Sequence, residues 1–304
     1  MTYSIAVVDP DTGALGVAVA SHYLAVGASV AAVRSGVGIV VSQSFADHLH
    51  YGEPGLELLA GGWPAPQVLA ELVGTDRNAV RAQIAVVDSR SRAVGHTGDR
   101  CVPAAEQIVR DGLACQANMV HAGVCRQMVD AFQASDGDLA ERLLTALDAA
   151  EAAGGDRRGR QAAALRIAPG PGQSRDQAVD LRVDDDPEPL VRLRALDRRR
   201  RLALDVAGAL VDARAGEVDG ALQRLQSVQR ALGESDLEPT AWAAVVAARA
   251  GDVVGAQRFV ERAVAGRPEW TGFLQAMAQV GMVPAEFDEV LGGLPPAAAV
   301  GDRR

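Results

Sequence analysis

Thr2 is the first residue with chemistry to offer. It directly follows Met1 and has a small side chain, so an aminopeptidase can remove the methionine and leave a free α-amine on the threonine. Such an amine has a pKa of about 7.7–8.0, is partly neutral near pH 7, and can take the proton of its own Oγ. Nucleophile and base then share one residue, with no histidine required. Taken alone, a threonine after a start codon carries no such meaning, and its surroundings must decide. Gln43 and Ser44 close an apolar run and could bind a substrate amide. Asn118 could donate to an oxyanion or simply occupy a left-handed turn. Ser21 and Asp9 stand at the ends of apolar runs, where side chains reach a pocket or cap a turn. Asp156, Arg157, Arg158 and Arg160 follow a Gly-Gly pair. Their guanidiniums suit a bidentate grip on a carboxylate or phosphate, and equally an ion-pair network that pins a loop.

Other groups offer less. His48 and His50 flank Leu49 beside Asp47, and on a strand both imidazoles would share a face. No third ligand follows by spacing, so no metal site is expected. Cys101 has mostly apolar neighbours and reads as a structural thiol. With Cys115 and Cys125 it makes three cysteines, without CxxC or zinc spacing. The chain has no lysine, which excludes Schiff-base chemistry, a lysine base and a Walker-type phosphate lysine. No cofactor is implied.

The elements that must position these residues follow from apolar patterning. Residues 4–8 and 15–20 read as strands around the turn Asp9-Pro10-Asp11-Thr12-Gly13, giving an opening β-hairpin. Strands are expected at 28–34, 37–43, 82–88, 92–97, 161–167 and 178–183. Helices are expected at 53–61, 65–73, 122–134 and 138–152, the last stopped by Gly154-Gly155. Strands, helices, strands, helices, strands is a layered α+β order without the alternation of a βαβ barrel. Residues 187–201 form a junction, and the run Arg198–Arg201 reads as the solvated start of a helix. Beyond it the pattern is helical and repeats: A-R-A-G-E-V-D-G-A at 213–221 and A-R-A-G-D-V-V-G-A at 248–256. The roughly 35-residue period is that of tetratricopeptide-like (TPR-like) helical hairpins, with residues 270–291 as a degenerate capping unit.

Composition bounds the partners. At 48% hydrophobic, 23% charged and net charge −9, the chain is globular, with no basic surface for nucleic acid. At 4% aromatic, stacking platforms for single strands are excluded. No apolar run is long enough for a membrane span and no signal peptide is evident, so a cytoplasmic protein is expected.

The residues 2–21, T-Y-S-I-A-V-V-D-P-D-T-G-A-L-G-V-A-V-A-S, resemble the start of the DUF1028 family. Further matches are A-V-G at 25–27, G-V-G at 36–38, Gln43, Y-G at 51–52, G-L at 55–56 and T-G-x-x-C at 97–101. G-G-D-R-R-G-R-Q at 154–161 and V-D-L-R-V-D-D at 179–185 complete the set. The resemblance implies the four-layer αββα sandwich of the N-terminal-nucleophile (Ntn) hydrolases over residues 1–200. It leaves 201–304 as a small all-α TPR-like domain with a flexible tail. Some members of the family carry an added C-terminal domain with a peptidoglycan-binding label; here that region reads as helical repeats. Two segments depart from the family: its Q-G-N appears as Gln116-Ala117-Asn118, and the loop 168–177 is short. Proteasome-like relatives use a lysine to favour the neutral amine, and here Arg34 is the basic residue near the early strands. Its charge could lower the amine pKa, although arginine cannot carry a proton at neutral pH.

The combined expectation is a hydrolase of a small amide, ureide or cyclic imide, with Thr2, Arg34 and Asn118 as catalytic residues. Ser21, Gln43, Ser44, Asp156, Arg157 and Arg160 would hold the substrate. The alternative is a non-catalytic sandwich that binds a small ligand while its helical repeats recruit a protein. A homo-oligomer is expected in either case.

Overall fold

The computed structural model describes residues 2–44, 51–285 and 287–292. The chain divides into two units, one ending at Asp197 and the other beginning at Arg198.

The first unit runs β1 (Thr2–Val8), β2 (Leu15–Ser21), α1 (Val26–Ser29), β3 (Ala31–Arg34), β4 (Gly38–Ser44), α2 (Gly52–Ala60) and α3 (Ala65–Thr75). It continues with β5 (Ala82–Asp88), β6 (Ala93–Thr97), β7 (Glu106–Arg110), β8 (Leu113–Asn118), α4 (Val124–Ala134), α5 (Leu139–Ala152), β9 (Ala162–Ala168) and β10 (Val179–Val183). The strands form two antiparallel sheets, one ordered β10-β9-β2-β1-β8-β7 and the other β3-β4-β5-β6. The opening hairpin is central in the larger sheet, with neighbours on both sides. Its turn is held by Asp9, whose Oδ1 accepts from the backbone of Asp11 and Thr12 and from the Thr12 hydroxyl. Gly13 takes φ 69° there, so Asp9 serves the turn.

Alternation along each strand sorts the side chains into three apolar layers. On one face of the larger sheet, Tyr3, Ile5, Val7, Ala18, Ala20 and Cys115 pack with Met128, Leu143 and Leu147 of α4 and α5. On its other face, Ala6, Val8, Val17, Val19 and Ala114 pack with Ile39, Val41, Ala85 and Val87 of the smaller sheet. The far face of the smaller sheet, with Val40, Ile84 and Val86, packs on Leu56, Val68 and Leu72 of α2 and α3.

Two expectations are corrected. Residues 28–34 are not one strand: the chain first makes the helical turn α1. Gly27 lies so near β9 that a Cβ there would sit 2.2 Å from the Ala164 Cβ, so only glycine lets that turn pack down. The second correction is the β7–β8 hairpin, which the apolar pattern does not announce because its strands carry Glu106, Gln107, Gln116 and Asn118.

Helix α6 (Pro189–Arg214) follows. The second unit then holds α7 (Val218–Leu232), α8 (Glu238–Arg249), α9 (Val253–Gly266), α10 (Trp270–Gln279) and α11 (Phe287–Leu291). The two copies of the repeat adopt the same turn. Gly216 and Gly251 take φ 96° and 79°. The amide of Glu217 donates to Asp212 O as that of Asp252 donates to Ala247 O, the six-to-one bond of a Schellman ending. The stop after α10 repeats it, with Gly281 at φ 69° and Met282 N donating to Met277 O. Leu225 and Val228 of α7 are buried, with Leu222 and Leu232 packed beside them, which is the apolar face expected from their spacing. No helix among the described residues is long and apolar enough to cross a membrane.

A candidate site at the polar end of the inter-sheet layer

The layer between the sheets changes character at one end. Continuing the alternation past Ala6, Val19, Val41, Ala85 and Ala114, the same face receives Ser4, Thr2, Ser21, Gln43, Gln83, Gln116 and Asn118. All seven are buried. Register aligns them: Thr2 lies opposite Ser21 on one side and Asn118 on the other, Ser4 lies opposite Gln116, and Gln43 lies opposite Gln83.

Their hydrogen bonds cross the gap between sheets. The Thr2 and Ser21 hydroxyls are 3.1 Å apart. Ser4 Oγ donates to Gln43 Oε1 at 2.8 Å. The Gln43 amide donates to Gln83 Oε1 at 2.9 Å and to Thr2 O at 3.4 Å. Gln83 is the hub. Its Nε2 faces Thr97 Oγ1 and the carbonyls of Glu106 and Ala117 at 3.1–3.2 Å. This turns its Oε1 toward Gln43 and toward Asn118, whose Nδ2 donates at 3.0 Å. Because backbone carbonyls fix Gln83, both neighbouring amides have assigned orientations. Gln116 donates to the carbonyls of Ile84 and His96 and to Gln107 Oε1.

The fit is incomplete on the acceptor side. Asn118 Oδ1 and Gln116 Oε1 are buried with no hydrogen-bond partner among the described residues, as is Ser44 Oγ. Ser44 ends β4 at φ 80°, off the regular alternation.

The expected site residues therefore divide. Thr2, Ser21, Gln43 and Asn118 come together. Asp156 is buried close by: its Oδ2 accepts from the His22 amide at 2.7 Å, next to Ser21, and its Oδ1 from the Arg158 amide. With the Arg158 ion pair at 3.1 Å, Asp156 pins the loop after α5. Arg160 pairs with Glu151 and Glu188, and Glu151 also accepts from Tyr3 OH at 2.6 Å. That cluster faces the helix side of the larger sheet, and burial with Glu151 alongside pushes the Tyr3 phenol well above its usual range. Arg157 is exposed. Arg34 is not brought to Thr2: it lies opposite Gly38, at the far end of β4 from Gln43, and pairs on the surface with Glu53 and Glu57. Cys101 is partly exposed and faces Ala82 O. Asp47, His48 and His50 lie outside the described residues, and among those described no cluster suits a metal.

Sequence reasoning passed over Ser4, Gln83 and Gln116. The available signal was a polar residue on the inward phase of an otherwise apolar strand, as in Ala82-Gln83-Ile84-Ala85-Val86-Val87.

The helical unit has a cavity of its own, about 390 Å³, with Leu225, Ala243, Phe259, Arg230 and Arg262 among its lining.

Comparison with known proteins bears on the first unit. The family model described as "Family of unknown function (DUF1028)" matches residues 2–193. The crystal structure of protein SPO2555 from Silicibacter pomeroyi, itself a DUF1028 protein, is similar with 31% identity and a TM-score of 0.59. The match covers 65% of this chain and 88% of that one. No curated protein matches.

Proposed function

The chain belongs to the DUF1028 family, and on that premise we propose that it is a hydrolase of a small amide, ureide or cyclic imide, with Thr2 as its nucleophile. In this reading the three apolar layers of the first unit are those of an Ntn-type αββα sandwich. The observation that carries it is the Thr2 hydroxyl: it heads a central strand, on the face between the sheets, 3.1 Å from Ser21 Oγ, beside the amides of Gln43 and Asn118.

Once whatever precedes Thr2 is removed, its α-amine takes the proton from Oγ as Oγ attacks the substrate carbonyl. The tetrahedral intermediate collapses, the C–N bond breaks, and the protonated amine returns its proton to the leaving nitrogen. Water then attacks the ester, with the amine again as base, and Thr2 is regenerated. Ser21 holds the nucleophile, and Gln43 fixes the start of β1 through Thr2 O. Asp156 shapes the loop beside Ser21. Arg34 has no part in this mechanism, and Arg160 is engaged in its own ion pairs.

The test has two steps. Intact mass and N-terminal sequencing of the natively expressed protein should find Thr2 as the first residue. A panel of small amides and cyclic ureides should then yield a substrate that Thr2→Ala no longer hydrolyses and Thr2→Ser still turns over. Equal turnover by Thr2→Ala refutes the assignment. The helical unit supports a second, non-catalytic reading, in which TPR-like hairpins recruit a protein while the sandwich holds a small ligand. The repeated turns and the 390 Å³ cavity favour it, and retention of a specific ligand without turnover would select it.

A further inference from the structure

Two buried carbonyl oxygens on one strand face accept no hydrogen bond from the described residues. Asn118 Oδ1 and Gln116 Oε1 belong to residues that are 0% exposed, and neither has a partner among the described residues. They are two positions apart on β8, on the face between the sheets, opposite Thr2 and Ser4 respectively. Flipping the amides does not relieve them. Turning Asn118 would set oxygen against oxygen at Gln83 Oε1, and turning Gln116 would set its oxygen against the carbonyls of Ile84 and His96. An unmet buried acceptor is costly, and native proteins fill such positions with a donor. The site is therefore a fixed pair of acceptors beside a hydroxyl, and it selects for a guest that brings N–H groups.

We infer that the substrate bears a free N–H next to its scissile carbonyl and donates it to Asn118 Oδ1, so that ureides, primary amides and N–H imides are accepted while esters and fully N-substituted amides are rejected. This rests on the proposed Thr2 site and narrows its substrate class. Gln83 is the positioning residue: by engaging Asn118 Nδ2 it keeps the oxygen, and not the NH₂, free for the guest.

The experiment separates binding from turnover. Full-length Thr2→Ala protein is titrated, by ligand-observed NMR, with small ureides, primary amides and cyclic imides, each paired with its N-methylated counterpart. The N–H member of a binding pair should bind about tenfold or more tightly, the cost of leaving a buried acceptor unmet. Asn118→Leu, which removes the acceptor, should lose the preference, with thermal unfolding checking that the variant still folds. Equal binding of N–H and N-methyl members, with the oxygens serving only water, overturns the inference, as does a panel in which nothing binds. Failure of the Thr2 assignment has a different signature: selective binding of N–H ligands by a wild-type protein that does not hydrolyse them.

Discussion

Gln83→Met removes the hub of the inter-sheet network while nearly conserving volume. The wild-type amide serves five partners: Thr97, Glu106 O and Ala117 O on its nitrogen, and Gln43 and Asn118 on its oxygen. In the variant Gln43 keeps Thr2 O as an acceptor, and Thr97 keeps Gln107. Asn118 Nδ2 is left in a buried place with no other partner among the described residues. One stranded donor costs about 1–3 kcal/mol, and the weakened carbonyl contacts of Glu106 and Ala117 add about 1 kcal/mol. The expected loss is about 2–4 kcal/mol. In a unit of this size each kcal/mol lowers Tm by roughly 2–4 °C, so a drop on the order of 5–15 °C should appear in thermal unfolding followed by circular dichroism. Ile84→Val, one position along the same strand but on the opposite face, should cost only about 0.5–1.5 kcal/mol. A Gln83→Met protein within 0.5 kcal/mol of wild type would refute the network as a structural hub and, with it, the fixed orientation of Asn118.

Asp88 is buried and accepts from the backbone of Ala65, Arg90 and Arg92 and from the Arg92 side chain. Desolvation pushes its pKa up, but these donors outweigh it and hold the carboxyl below its ordinary value. A depressed pKa gives stability that is present above the unfolded-state value and is lost as pH falls through the folded one. Asp88→Asn should therefore destabilise at neutral pH and flatten the acid limb of stability against pH in urea titrations; an unchanged acid limb would exclude the group. Burial raises the Cys115 thiol well above its usual range, and Cys125 is also buried. Iodoacetamide on the native protein, followed by peptide mapping, should label Cys101 and spare both until denaturant is added.

What was legible in the sequence follows the physics of each signal. The opening hairpin declared itself because both strands are buried along their whole length, so near-continuous Val, Ala and Ile runs flank a turn whose Asp and Gly have definite jobs. The second unit declared itself through its turns, since a Schellman ending requires glycine and the requirement recurs at Gly216 and Gly251. The β7–β8 hairpin stayed hidden because Gln116 and Asn118 spend their strand positions on polar contacts across the sheets, which breaks the apolar pattern that marks a strand. Arg34 was misjudged for a related reason. Closeness in sequence to the early strands carried no information on which end of β4 it would meet, and the β3–β4 register decides that.

The polar end of the inter-sheet layer is where local rules and the global fold disagree. Elsewhere this layer is filled by Ala, Val, Ile and Leu, which is what two stacked sheets require. Seven further positions carry hydroxyls and amides that must find partners across the gap. Valine or leucine there would need no partners at all, so stability alone gives no reason for them. The sequence departs from its own pattern in one contiguous place, on five strands at once, and leaves two acceptors without a partner among the described residues, which is the ground for proposing a guest. Gln83 and Gln116 belong to this departure as much as Thr2 does. A catalyst and a binding protein would share this arrangement, so the N-methyl comparison and the Thr2→Ala assay ask different questions of the same site.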